Sequence, residues 1–242
     1  MPVTEHYETL RAMGIDVWIE RKPQASPVSE LVGPDLLLDT PGTAPHKSPQ
    51  TGAGDALSML DWEPLARRVA GCEACELCQT RNRTVFGVGD RGADILVVGE
   101  APGADEDRQG EPFVGRAGQL LNAMLKSIGL SREQVYITNI LKCRPPDNRD
   151  PLPPEIESCE SYLLRQIALL KPKVILASGR IAAQSLLRSN QTIGRLRGQR
   201  HVYADTGVPL IATYHPAYLL RSPSAKGKSW DDLKLLREVA GL

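Results

Sequence analysis

Four short runs rich in β-branched residues, set apart by segments of helical period, constrain this 242-residue chain more than any other feature. Residues 93–99 (ADILVVG), 135–140 (VYITNI), 173–178 (KVILAS) and 209–214 (PLIATY) each have the length and content of a buried strand. Between the first two, residues 116–128 place Leu120, Met124 and Ile128 at four-residue spacing, which suits an amphipathic helix. Pro153 and Pro154 open a second helix to about Leu170, because proline at the first turn lacks only an N–H that has no partner there anyway. A third helix follows Gly179 over residues 180–187, and a fourth closes the chain over 231–240. Strands that alternate with helices predict an α/β fold: a three-layer α/β/α arrangement around a mostly parallel four-stranded sheet. Ligands of such sheets bind beyond the carboxyl ends of the strands. The segment from Gly99 to Gly103, Asn139 at the end of the second strand, and His215-Pro216 after the fourth are therefore expected to meet in one crevice.

The first sixty residues read differently. Residues 5–20 suit a short amphipathic helix ending at Gly14, followed by an extended apolar peptide. Residues 23–56 hold Pro23, Pro27, Pro34, Pro41, Pro45 and Pro49 among Gly, Ser and Thr, a composition that sustains neither helix nor ladder. The chain is thus expected to divide into a flexible, acidic, Pro-rich extension (1–60) and a folded domain (61–242). No apolar run reaches the ~18–20 residues that cross a bilayer. The start lacks the basic-then-apolar pattern of a secretory signal, so a cytoplasmic, membrane-free protein is expected.

Charge points to a partner. The 29 basic and 29 acidic residues cancel overall, yet no acidic residue lies between Glu160 and Asp205. That stretch carries Arg165, Lys171, Lys173, Arg180, Arg188, Arg195, Arg197 and Arg200. A one-signed run of this length favours a polyanion, whose condensed counterions are released on contact; a solvated basic face is the plain alternative.

Five cysteines remain: Cys72, Cys75 and Cys78 in a C-x2-C-x2-C run, then Cys143 and Cys159. Three thiols within seven residues point to a metal, since such spacing lets the chain bend around one centre. Spacing alone leaves zinc and iron–sulfur both open, and the run does not match a bacterial ferredoxin.

GEAPGADEDRQGEPFVGRAGQLL (99–121), YITNILKCRPPDNRDP (136–151) and YHPAYLLR (214–221) together resemble the family 4 uracil-DNA glycosylases, the iron–sulfur branch of that superfamily. The resemblance runs from about Cys72 to the C-terminus. It implies the superfamily's α/β/α fold and a monofunctional enzyme, without lyase activity, that flips uracil out of DNA and hydrolyses its N-glycosidic bond. It implies one structural [4Fe–4S] cluster held by Cys72, Cys75, Cys143 and Cys159, with Cys78 spare. Phe113 is then expected to stack on uracil, Asn139 to read its O4 and N3–H edge, and His215 to donate to O2 as negative charge develops. Gly99, Ala101 and Gly103 form a tight turn near the sugar, and Glu106 crowds C5 against thymine. Where the best-known branch orients water with an aspartate, this chain has Ala101, as family 4 does; Glu100, the nearest carboxylate, takes that role here. Tyr218, Leu219 and Arg221 are expected to enter the DNA gap, with Leu219 as an apolar wedge. Arg195, Arg197 and Arg200, with Arg116 and Lys142 at the crevice rim, are expected to meet phosphates. The alternative is a catalytically altered DNA-binding scaffold that keeps the fold, which Ala101 and the extension admit. A monomer is expected. Residues 10–23 (LRAMGIDVWIERKP) resemble the N-terminal peptide of the DNA polymerase III psi subunit, implying a replication-protein contact through residues 5–24.

Overall fold

The computed structural model describes residues 57–203 and 206–242. Residues 1–56 of the expected extension, and its replication-protein contact, lie outside the described residues; Leu57 and Leu60 at its end pack against the folded domain. Three strands fall where the alternation places them, each trimmed by a residue or two: β2 (Ile95–Gly99), β3 (Tyr136–Asn139) and β4 (Val174–Ser178). The fourth, β6 (Val208–Thr213), is shifted one residue toward the N-terminus. These run parallel.

Two strands extend the expected four to six. The sheet order is β1-β3-β2-β4-β6-β5, in which β1 (Val88–Gly89) and β5 (Arg200–Tyr203) are antiparallel edges. Neither carries a readable period. Two residues make no alternation, and β5 sits in the basic run, where an edge strand takes its hydrogen bonds from β6 and leaves Arg200 and Val202 in solvent.

Side-chain alternation divides the core. Val97, Ile137, Leu176 and Ile211 face one layer, formed by α3 (Arg116–Ser127), α7 (Pro216–Arg221) and α8 (Lys226–Ala240). Leu96, Val98, Ile175 and Leu210 face the other, formed by α4 (Pro153–Leu170), α5 (Arg180–Leu187) and α6 (Ile193–Leu196). Each such leucine or isoleucine contributes about 1.5–3 kcal/mol on burial, which sets the register of every strand. A third, smaller cluster joins Leu65 and Val69 of α1 (Trp62–Ala70) to Leu77, Leu141 and Tyr162 around the cysteines. Among the described residues, no helix is long and apolar enough to cross a membrane.

Two helices differ from expectation. The closing helix starts at Lys226 because a turn at Pro223–Ala225 runs directly into it. Residues 216–221 form a helix rather than a probing loop, with Pro216 at its first position and the His215 side chain as its cap.

Between β2 and α3 the chain makes one more helix, α2 (Ala104–Gln109), then a tight corner at Phe113. Phe113 has φ +55°, a left-handed conformation unusual for a side chain of its bulk. Arg132 holds the corner by donating to the carbonyls of Pro112 and, at 3.2 Å, Phe113. Gly118 lets α3 close over it: a Cβ there would lie 1.8 Å from the Phe113 carbonyl oxygen. Gly118→Ala is therefore expected to cost at least about 3 kcal/mol, the upper range for overpacking, because the obstacle is backbone. Urea unfolding checks this, and an unchanged midpoint contradicts it.

Candidate active site

The carboxyl ends of β2, β3 and β6 open onto one cleft of about 420 Å³. Glu100, Phe113, Asn139 and His215 all line it, brought together from four separate segments of the chain. Ala101, Gly103 and Glu106 line it too, with Tyr218 and Arg221 from α7.

Asn139 is the last residue of β3 and stands in register with Gly99 of β2. Pairing continues beyond the strands, from Ile140 N–H to Gly99 O (2.9 Å) and Leu141 N–H to Glu100 O (3.0 Å), so the two loops leave the sheet side by side. The Asn139 side chain is 2% exposed, and its Oδ1 has no hydrogen-bond partner. An unmet buried acceptor costs about 1–3 kcal/mol, so this oxygen is set for a donor brought by a ligand. Gly99 does not line the cleft itself. A Cβ there would lie 2.3 Å from Asn139 Oδ1 and 2.7 Å from the Phe113 ring, so the bare glycine is what lets these two side chains close on each other.

Phe113 and His215 face each other with ring centroids 5.6 Å apart and planes inclined by 30°. His215 Nδ1 accepts a hydrogen bond from Ala217 N–H at 3.2 Å, so the neutral ring carries its proton on Nε2. Burial holds the imidazole down to about 4, with the Arg221 cation pushing the same way and Glu106 opposing. Near neutral pH His215 is thus an uncharged donor.

Glu100 also lines the cleft, with its carboxyl displaced toward neutral pH. Burial pushes it up to about 7; the Asp150 charge adds to the rise and the Arg180 guanidinium opposes it. Arg180, the first residue of α5, is itself paired to Asp150 at 2.5 Å.

Glu106 lines the cleft, and its carboxylate is also engaged with the backbone. Its Oε2 accepts from Gly103 N–H (3.1 Å), and its Oε1 from Val114 N–H (2.9 Å) and Gly115 N–H (3.0 Å). With both oxygens engaged, Glu106 fixes the glycine turn to the Phe113 corner across the cleft floor. Asp107, fully buried on the other side of α2, accepts from the backbone N–H groups of Asn82 (2.9 Å) and Arg83 (3.3 Å).

Several expected DNA contacts are corrected. Leu219 is fully buried in the core layer beneath the sheet, because α7 turns it inward; Tyr218 (39% exposed) and Leu220 (37%) are the large apolar side chains this helix offers to solvent. Arg197 is committed to the buried Asp232, donating from Nε at 3.0 Å and Nη2 at 2.8 Å, while its guanidinium lies 5.7 Å from the Tyr214 ring. Lys142 is buried, not on the rim. Arg116, Arg195, Arg200 and Arg221 remain exposed. The rim formed by Pro145, Asn148, Arg149 and Asp150 was missed. Its signal was the strained, polar run after Cys143: Asp147 and Asn148 both take φ +54°, and Arg149 clamps the segment to Glu155 at 2.6 Å.

Behind this rim a small apolar cavity is lined by Cys72, Cys75, Cys143 and Cys159, but not by Cys78. Lys142 N–H donates to Cys159 Sγ at 3.3 Å and Arg81 Nη1 to Cys143 Sγ at 3.2 Å. Among the described residues, no group of three or more thiol, imidazole or carboxylate side chains is set to hold a metal ion.

The model of the uracil DNA glycosylase superfamily matches residues 86–234. A type-4 uracil-DNA glycosylase of Archaeoglobus fulgidus is 47% identical over 189 residues, covering 76% of this chain and 95% of that protein. The type-4 enzyme of Sulfurisphaera tokodaii is 43% identical over 189 residues (75% and 86%), and that of Thermotoga maritima 44% over 163 residues (67% and 84%). A chain with this cleft and this breadth of similarity belongs to the uracil DNA glycosylase superfamily and, within it, to the type-4 uracil-DNA glycosylases.

Proposed function

We propose that this protein excises uracil from DNA by hydrolysing the N-glycosidic bond and leaves an abasic site for base excision repair. The observation that carries the proposal is the shared cleft: a stacking ring, an unpartnered amide acceptor and a neutral imidazole donor all line it. A base inside a duplex cannot reach such a site, so it must be flipped, at a cost of a few kcal/mol. Phe113 supplies the stacking face. Asn139 Oδ1 accepts from uracil N3–H while its amide N–H donates to O4. Cytosine, with a bare N3, would set acceptor against acceptor. His215 Nε2–H donates to O2 and strengthens its grip as the base departs as an anion. Glu100, as carboxylate, orients the water that captures the oxocarbenium-like sugar. Tyr218 and Leu220 are the exposed side chains that fill the vacated stack, and Arg116, Arg195, Arg200 and Arg221 contact phosphates without reading sequence.

The donor chemistry of the four-cysteine cavity suits a [4Fe–4S] cluster. Its donors are soft thiols, no carboxylate lines it, N–H groups point at two sulfurs, and Arg81 and Lys142 offset the thiolates' charge. When bound, the cluster would tie together α1, the loop after β3 and α4; base hydrolysis itself transfers no electron.

Three outcomes test this reading. His215→Ala is expected to cut formation of alkali-labile sites in a uracil-containing oligonucleotide by about 10²–10³-fold, the usual cost of one donor to a developing anion; full activity in that variant, or none in the wild type, favours the scaffold alternative. Because Glu100 works only when ionised, single-turnover rates are expected to climb as pH rises through about 7 and then level off, whereas Glu100→Gln is expected to be slow and flat across that range. A wild-type rate that falls over the same interval would exclude Glu100. Alanine at Cys72, Cys75, Cys143 or Cys159 is expected to lower iron and labile sulfide per chain, and Cys78→Ala to leave both unchanged. Iron loss from Cys78→Ala would reassign the ligands.

A further inference from the structure

Lys142 is 1% exposed, yet it carries a full set of hydrogen bonds. Its ammonium donates to Thr138 Oγ1 at 2.6 Å, Asn139 O at 2.8 Å and Gln166 Oε1 at 2.7 Å, which accounts for all three protons. These acceptors are neutral. A polar head at this depth is costly unless its hydrogen bonds are met, and these three acceptors meet them. The same residue is fastened to the four-cysteine cavity through its backbone, N–H to Cys159 Sγ at 3.3 Å, and to the incoming chain through its carbonyl, which accepts from Val85 N–H at 2.7 Å.

We propose that Lys142 is a positioning residue: it locks Asn139 at the pyrimidine edge and anchors that lock in the wall of the four-cysteine cavity. The inference rests on the uracil-excising reading and deepens it. Asn139 Oδ1 has no partner of its own, so the aim of the amide depends on how firmly its backbone is held. On one side that backbone is held by register with Gly99, and on the other by the Lys142 ammonium on its carbonyl. Thr138 and Gln166 complete the clamp: the Thr138 hydroxyl donates to Phe86 O at 2.9 Å and Gln166 Nε2 to the same carbonyl at 2.9 Å. A neutral side chain at 142 would free the Asn139 carbonyl and leave the reader loose where it must meet N3–H, while His215, which caps a helix on another element, would stay in place. The defect should therefore fall on base binding rather than on bond cleavage.

The test compares the full-length, iron-loaded wild type with Lys142→Met, Asn139→Ala and the double variant. Iron per chain and the visible spectrum are recorded for each, affinity for free uracil is measured by calorimetry, and KM and kcat are measured on a uracil-containing oligonucleotide. Lys142→Met is expected to keep its iron, weaken free uracil and raise KM by about tenfold, and change kcat by less than about threefold. In the Asn139→Ala background the same change is expected to add nothing further. Wild-type uracil affinity in iron-loaded Lys142→Met, or equal losses in both backgrounds, overturns the proposal. Should Lys142→Met fail to fold, Gln166→Met removes one acceptor of the clamp; a raised KM supports the lock and an unchanged KM overturns it. A wild type that binds free uracil but releases none from DNA refutes the excision reading alone, because calorimetry still reads the lock. One that neither binds nor releases it refutes both.

Discussion

The missing side chain at Gly99 is the constraint on which the rest of the site depends. At the carboxyl end of a parallel sheet, neighbouring strands lie at hydrogen-bonding distance, and any Cβ at this point would occupy the space of Asn139 Oδ1 and of the Phe113 ring together. Glycine weakens a strand end by giving up packing and adding unfolded-state entropy. Here it gives up a contact on one side so that two side chains from distant segments can approach across it. The buried amide oxygen left without a partner is a second cost, accepted in the empty site and repaid only when a ligand N–H arrives.

Such a site needs rigid walls, and two adjacent carboxylates on one short helix provide them. Glu106 and Asp107 of α2 point to opposite sides. The first accepts three backbone N–H groups from the glycine turn and the Phe113 corner; the second accepts backbone groups from Asn82 and Arg83, just after the first three cysteines. Each replaces lost hydration with several charge-assisted bonds, which is the condition for an acid to be worth placing there. A mechanical line thus runs from the cysteine segment through α2 to the stacking ring. On the other wall, Lys142 connects the cysteine cavity to Asn139. The cavity and the cleft share a wall, and the two groups that define the pyrimidine's plane and edge are both tied to it.

How much of this could be read in the residues follows from what each feature depends on. The four parallel strands were legible because each is buried on both faces and so reads as an unbroken apolar run. The convergence of Asn139, Phe113 and His215 followed from strand ends together with the motifs that resemble family 4. The edge strands were hidden because β1 has two residues and β5 is half solvent. Leu219 was misplaced because YLLR reads equally well as loop or helix: only with Pro216 at the first position and His215 as cap does the 3.6-residue period turn Leu219 inward and Leu220 outward. Lys142 and Arg197 were read as phosphate ligands because charge in a sequence carries no depth. Their partners, Gln166 and Asp232, lie 24 and 35 residues away, and nothing local marks them. The structural task of Glu106 was hidden for a related reason, since a carboxylate that accepts backbone N–H groups looks the same in a sequence as a free one.

Desolvation acts on the two titrating groups of the cleft in opposite senses that serve one reaction. It disfavours charge wherever it acts, so it lowers the imidazole and raises the carboxyl. For His215 the consequence is a donor with no charge of its own. In the proposed reaction the neutral N–H needs no added proton, and its hydrogen bond to O2 strengthens as charge grows there, which is the difference that lowers a barrier. The Ala217 N–H completes the arrangement by occupying Nδ1, so the only proton left to offer is the one on Nε2. For Glu100 the same burial works against ionisation, and Arg180 opposes it without cancelling it. The carboxyl is left poised near neutrality, which suits the water-orienting role proposed for it. Both properties come from the depth of a cleft that the strand ends create, which is why neither residue type needs a charged partner of its own at the reacting atoms.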